Sequence, residues 1–300
     1  MARFSINTNS DVPTIVSNSF KPTLIPASQD IKNLNLAVAA HIFYPDLTDL
    51  IITKLKNIPT SKLKLKVLIT TDTKEKQRQI EESFRKANFD YKIKIFENIG
   101  RDIAPSFIGF KDEILSSDLF LHLHTKKSLY NPDLNLWRDD ILNKLLGNKE
   151  IAEQNIRLVS SDIGLLAPKP PEFIRLHMNW GEESDYSHAR TLLKRAGCKI
   201  TKLNPLYFPA GSMFFARTEA IEPIINNLKL SDFDEESGQI SGTMAHAVER
   251  SFCFSAEITK LNWLVVDVKN DKPIYFKPKY KLLSKHPLVW LKYKLFRRKK

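Results

Sequence analysis

The chain reads as an α/β protein with a mostly parallel sheet flanked by helices, and three observations point there. Apolar runs of strand length alternate with stretches of helical periodicity. Each apolar run gives way to polar residues at its C-terminal end. The chain is 300 residues long and 42% hydrophobic, enough to bury the core that such a sheet needs.

The elements follow in order. LNLAVAAHIFYPD (34–46) is a continuous apolar strand that stops at Tyr44-Pro45-Asp46. A helix follows, with Leu47, Leu50, Ile51 and Leu55 at helical spacing. KLKVLITTDT (64–73) is the second strand and 74–88 a charged helix. YKIKIFENIGRD (91–102) alternates as a strand does, then breaks at Asn98 and Gly100. One helix is expected over 103–116. DLFLHLHTKKS (118–128) is the fourth strand. Its period of two puts Phe120, His122 and His124 on one face and Leu119, Leu121 and Leu123 on the other.

The second half changes character. One or two helices are expected over 133–158, a short strand over 161–169, and a helix pair over 171–198 around Asn179-Trp180-Gly181. LYFPAGSMFFAR (206–217) reads as an aromatic strand, and its internal Pro and Gly imply a kink or a close approach to a ligand. Residues 231–242 read as a mobile acidic loop, 243–254 as a helix and 257–268 as holding the last core strand. The expected organisation is a tail or linker over 1–33, one domain over 34–268, and a basic amphipathic tail over 269–300.

Charge narrows the function. The net charge is +12, but residues 269–300 carry twelve Lys or Arg and one acid, Asp271. The rest of the chain has thirty-four basic and thirty-three acidic residues. Nucleic-acid binders carry their basic stripe on the folded body, so no nucleic-acid partner is expected. Two cysteines, Cys198 and Cys253, show no metal spacing and fit unpaired thiols in a reducing compartment. No apolar run approaches the ~20 residues of a membrane span, and no secretory pattern opens the sequence. A soluble, cytoplasmic protein is expected.

Ligands of such sheets bind outside the carboxyl ends of the strands. Here those ends carry His41 to Asp46, Thr70 to Thr73, Glu97 to Asp102 and His122 to Ser128. They should meet along one edge, although strand ends also turn polar merely by reaching solvent. Lys126, Lys127 and Ser128 suit a phosphate or diphosphate, whereas His122 and His124 could instead hold a divalent metal or sit in the core. Arg101 could grip a phosphate or simply pair with Asp102. His246 and Glu249 lie three apart and share a helix face, as a general base and its neighbour would or as an ordinary surface pair would. Trp180 is a candidate to stack on a sugar.

Four segments together resemble one family: Asn98-Ile-Gly-Arg-Asp102, His124-Thr-Lys-Lys-Ser128, Phe208-Pro-Ala-Gly-Ser-Met-Phe214 and Gly242-Thr-Met-Ala-His-Ala-Val-Glu-Arg250. In this order they resemble the rhamnan synthesis protein F family of bacterial polysaccharide glycosyltransferases. The resemblance covers roughly residues 36 to 268; Phe215 departs from it, where the family pattern has a tryptophan.

The resemblance implies a GT-A-like, Rossmann-like fold and a nucleotide-sugar-dependent hexosyltransferase of O-antigen, capsule or rhamnan synthesis, inverting at the sugar. The alternative is a non-catalytic glycan-binding or scaffolding domain of a polysaccharide assembly complex. The implied catalytic residues are Glu249 as base, with His246. The implied donor site is His41, Asp72, Asn98, Gly100, Arg101, Asp102, His124, Lys126, Lys127 and Ser128, and Trp180, Gly211 and Ser212 are implied for the acceptor. The donor is dTDP-rhamnose or another nucleotide-sugar, and the acceptor a glycan or lipid-linked glycan.

Metal-dependent enzymes of this fold place Asp-x-Asp where this chain has His122-Leu-His124. Metal-independent catalysis is therefore expected, with Arg101, Lys126 and Lys127 supplying the positive charge. Mg or Mn held by His122 and His124 is the rival. The basic, apolar end KYKLLSKHPLVWLKYKLFRRKK (279–300) is expected to bind an anionic membrane surface at the inner face of the cell membrane.

Overall fold

The computed structural model describes residues 30–125, 127, 133–175 and 178–277, with the backbone alone of Thr14–Ile15, Pro132 and Leu282–Leu283. The strands are β1 (Thr14–Ile15), β2 (Asn35–His41), β3 (Lys64–Thr71), β4 (Tyr91–Ile95), β5 (Leu119–His124), β6 (Ile163–Pro168), β7 (Phe214–Arg217), β8 (Asn262–Lys269), β9 (Lys272–Phe276) and β10 (Leu282–Leu283). The helices are α1 (Thr48–Leu55), α2 (Lys74–Ala87), α3 (Ile103–Phe107), α4 (Lys111–Leu115), α5 (Pro132–Leu146), α6 (Lys149–Val159), α7 (Glu172–Arg175), α8 (Glu183–Arg195), α9 (Thr218–Ile225) and α10 (Met244–Ile258).

Eight strands form one sheet in the order β4-β3-β2-β5-β7-β6-β8-β9. The β2, β3, β4 and β5 pairings are parallel, as are those of β6 with β8. The runs that read as continuous apolar strands lie in the middle. Every residue of β5, and all of β2 except Asn35, is buried. β4 lies at the edge, where Lys92 pairs with Glu113 of α4 at 2.5 Å, a charged edge of the kind that discourages strand addition. The expected α/β class, a mostly parallel sheet flanked by helices, is what the chain forms.

Topology places the site. After β4 the chain returns to the middle and lays β5 against β2, so the strand order reverses between them. A crevice opens beyond the carboxyl ends at such a reversal. His41 and His124, the last residues of β2 and β5, stand opposite each other in register. β7 runs antiparallel to β5, with Phe214 opposite His122. The residues just before β7, Gly211 and Ser212, therefore arrive at that same edge. Behind the sheet lies α10, buried along most of its length. Phe252 on it packs against Phe214 and Phe107 at ring distances of 4.6 and 5.2 Å.

Four expectations need adjusting. The helix over 103–116 is two short helices, α3 and α4, with Gly109, the weakest helix former of the run, in the break. Of the aromatic strand expected over 206–217, only Phe214–Arg217 is extended pairing; Pro209 and the positive φ of Gly211 and Ser212 turn the preceding chain away. Lys272–Phe276, expected in the basic tail, is edge strand β9, because Ile274 apart its apolar residues are buried against the sheet. The acidic loop is held in place by contacts given below.

Candidate active site

A cavity of about 750 Å³ opens at the crevice, and Arg101, Asp102, His124, Gly211, Ser212, His246 and Glu249 all line it. Seven residues implied from four distant segments thus meet at one place.

Beneath it lies a row of histidines. His41 is buried, with Nδ1 3.0 Å from Thr70 Oγ1, so two strand ends are bonded together. Burial pushes His41 down to about 4. His122 is fully buried and is likewise pushed by burial to about 4, so it is neutral at pH 7. A carbonyl can only accept, so His122 Nδ1–H donates to Ser212 O at 2.6 Å. Nε2 then accepts from the Ser106 hydroxyl at 3.0 Å. His124 Nε2–H donates to Gly211 O at 2.8 Å. Asp102 sits among the three rings. Its burial opposes ionisation, but His124, His122 and His41 together hold its carboxyl below the usual range. Its Oδ2 is buried without a hydrogen-bond partner among the described residues.

The turn held by these histidines positions the acid. Gly211 and Ser212 have φ of +87° and +57°. Gly211 tolerates this left-handed geometry without the Cβ clash that other residues meet. Its N–H points at α10 and donates to Glu249 Oε1 at 2.7 Å. One turn earlier, His246 Nδ1 lies 2.8 Å from Thr243 Oγ1. Burial and the nearby Arg101 and Arg250 charges push His246 down to about 4, against the pull of Asp185 and Asp102. It is neutral at pH 7. Arg250 donates to Asn179 O and His246 O, both at 2.9 Å, and its guanidinium lies 5.1 Å from the Phe208 ring centre. Arg250 Nη1 is 3.8 Å from Glu249 Oε2.

Arg101, with φ of +58°, reaches across the cavity to the loop before α10. It donates to Gln239 O and lies 3.3 Å from Glu236 Oε2. Burial raises Glu236 above the usual carboxylate range, and Arg101 opposes that rise. The far end of the loop is fastened by Asp185, a fully buried carboxylate that accepts from the Ser241 hydroxyl and from Gly242 N–H at 2.8 Å. Between these anchors Ile240 is 80% exposed at the cavity mouth. The sequence did not single out Asp185, whose Ser-Asp-Tyr setting resembles any helix start.

Other implied residues lie elsewhere. Lys127 is ion-paired with Asp46 and does not line the cavity. Asp72 pairs with Lys76 at 2.7 Å. Asn98 is exposed outside the cavity. Gly100 is buried, and its neighbours Asn98 to Asp102 form the turn that seats Arg101. Trp180 is 3% exposed, stacked on Phe254 at 5.9 Å and edge-on to Tyr186 at 5.4 Å. It packs in the core, not at the acceptor side of the cavity. Lys126 and Ser128 lie outside the described residues. The rival metal pair does not fit its environment either, because both ring nitrogens of His122 are engaged. Among the described residues no group of three or more His, Cys, Asp or Glu side chains is placed to hold a metal ion.

A strand-order reversal in an α/β sheet, with a cavity there furnished with an arginine, a half-buried aspartate and a helix-borne glutamate, defines a candidate ligand site. Residues 6–260 match the family model described as rhamnan synthesis protein F, and the chain belongs to that family. It is 34% identical over 231 residues to the uncharacterized protein WxcX of Xanthomonas campestris pv. campestris, strain B100, and equally so to that of strain ATCC 33913. The match covers 74% of this chain and 31% of each relative, so the chain spans about a third of their length. Among solved structures it is similar to the mannosyltransferase PcManGT of Pyrobaculum calidifontis (TM-score 0.44, 9% identity, 89% of this chain and 63% of that one). It is also similar to residues 1–349 of TarS of S. aureus (TM-score 0.44, 12% identity, 83% and 59%).

Proposed function

We propose that this domain transfers a sugar from a nucleotide-sugar, dTDP-rhamnose or another, to a glycan or lipid-linked glycan in the synthesis of a surface polysaccharide, with inversion at the anomeric carbon. The observation that carries the reading is Glu249: a carboxylate on the cavity wall, anchored through one oxygen by a backbone N–H, in a chain of the rhamnan synthesis protein F family. The volume of about 750 Å³ falls in the usual range for small-molecule sites.

The chemistry follows from the arrangement. The acceptor hydroxyl attacks the anomeric carbon as Glu249 takes its proton. The bond from that carbon to the diphosphate oxygen breaks, and the electron pair leaves with the nucleoside diphosphate. Arg101, one of two arginines lining the cavity, offsets the charge developing there, a role that preorganised groups fill with large effect. His246, neutral at pH 7, orients the acceptor or Glu249. Asp102, an acceptor only, suits a sugar hydroxyl and repels phosphate. Trp180 packs against Phe254 and Tyr186 rather than facing the cavity, whose aromatic lining is Trp137, Phe173 and Phe208.

No metal is required in this proposal. A thermal-shift screen against dTDP-, UDP- and GDP-sugars, with and without chelator, followed by donor-hydrolysis assays, tests it. Stabilisation and slow hydrolysis that survive chelator support the reading. Activity abolished by chelator and restored by manganese or magnesium would remove its metal-independent part, and no binding or turnover with any donor would leave the scaffolding alternative.

We also propose inner-face membrane attachment through 279–300, which lies outside the described residues except for the backbone of Leu282–Leu283. Within the described residues no helix is long and apolar enough to cross a membrane. Sedimentation with anionic liposomes should be lost on removing residues 284–300; sedimentation unaffected by the truncation would refute the attachment.

A further inference from the structure

The two histidines at the end of β5 have a task that neither diphosphate binding nor metal binding describes. Each donates a ring N–H to one carbonyl of a two-residue turn: His122 to Ser212 at 2.6 Å and His124 to Gly211 at 2.8 Å. Both turn residues have positive φ. For a serine that geometry is uncommon and persists only where the surroundings fix it. The third contact of the turn is the Gly211 N–H to Glu249 Oε1 at 2.7 Å. Ser106 and the strand pairing of β5 hold the histidines in their turn. The sheet is therefore tied to the carboxylate through two imidazoles and the backbone of Gly211 and Ser212, whose three successive peptide units carry the three contacts.

We propose that His122 and His124 are positioning residues that clamp the Gly211–Ser212 turn so that its N–H holds Glu249 in place as the base. This rests on the transferase reading of the site. His122 is wholly buried and cannot touch a substrate, so its effect must pass through the turn. A misplacement of about 1 Å at a reacting group can cost about 10²-fold in rate, which is how a buried histidine comes to govern turnover.

The test uses the full chain and pairs of variants that differ only in the donor. Asn places an N–H near the position of His Nδ1 and Gln near that of Nε2. His122→Asn should keep kcat within about threefold and His124→Gln should recover part of the rate that His124→Leu loses, whereas His122→Leu and His124→Leu should lower kcat by about 10- to 100-fold. The KM for the donor should change little in the His122 pair. His124→Asn, too short to reach Gly211, serves if the leucine variants do not fold, and should resemble them in rate.

A second readout needs no turnover. The 15N–1H signal of Gly211 should shift as Glu249 is protonated, and removal of a hydrogen bond to the charged form should raise the pH at which the Glu249 side-chain 13C signal titrates. Arg101, Asp102, His124, Asp133, His246 and Arg250 line the cavity with it, so Glu249→Gln identifies which titration is its own. Leucine variants with unchanged kcat, or with unchanged Gly211 and Glu249 titrations, overturn the proposal. Absence of transfer in the wild type would overturn the transferase reading, while the spectra would still decide the clamp.

Discussion

Replacing Gly100 with alanine tests how tightly the turn that carries Arg101 and Asp102 is built. Two costs add. Gly100 has φ of +67°, and an L-residue forced into the left-handed region costs roughly 1–2 kcal/mol. A Cβ there would lie 2.5 Å from Phe233 Cδ1 and 2.6 Å from Ala104 Cβ, well inside contact distance. Neither is the tip of a long flexible chain, so the overlap adds roughly 1–3 kcal/mol. The expected loss is about 2–5 kcal/mol, on the order of 10 °C in Tm for a domain of this size. Gly197→Ala is the matched control: its φ is +88°, but nothing lies within 4 Å of the methyl that alanine would add, so it carries the backbone cost alone. Urea unfolding followed by circular dichroism at 25 °C measures both. If Gly100→Ala is no less stable than Gly197→Ala, the packing of Phe233 and Ala104 against the turn is wrong.

Three other outcomes follow from the site. Glu236→Gln removes the carboxylate that shares Arg101, and a part-exposed pair of this kind is worth up to about 1 kcal/mol; affinity for a nucleoside diphosphate should therefore rise by up to about fivefold by isothermal titration, and weaker binding would contradict the role given to Arg101. His41 and His122 are buried with folded values near 4, below the roughly 6.5 of the unfolded chain. The unfolded state thus binds more protons between those values, and stability is full above pH ~6.5 and falls toward pH ~4, by up to about 1.4 kcal/mol per histidine per pH unit; urea midpoints that stay flat from pH 7 to pH 5 would contradict their neutral burial. Asp102, with its carboxyl held low, adds stability that is lost only below the ordinary aspartate range.

The middle of the sheet was legible because β2 and β5 are buried on both faces, and their runs LNLAVAA and LFLHLH are continuously apolar but for Asn35 and the histidines. The carboxyl-edge rule then grouped Arg101, Asp102 and His124 before any coordinates. What stayed hidden depends on partners far away in sequence. His122 is committed to Ser106 and Ser212, and Lys127 to Asp46; nothing local marks either pairing. Trp180, between Asn and Gly, looks like a loop aromatic, and only Phe254, on α10, makes it core. The loop over 231–242 is acidic and Gly-containing, so it read as mobile, whereas Arg101 holds it at Glu236 and Gln239 and Asp185 at Ser241 and Gly242. Strand β9 was masked by the lysines around it, although Tyr275 and Phe276 are buried.

The most direct measurement is steady-state transfer and donor binding by Glu249→Gln. Glutamine keeps an oxygen for the Gly211 N–H but cannot take a proton. Donor affinity should stay within about threefold and turnover should fall by about 10²- to 10⁴-fold. A variant that binds the donor normally and turns over at the wild-type rate would contradict Glu249 as the base.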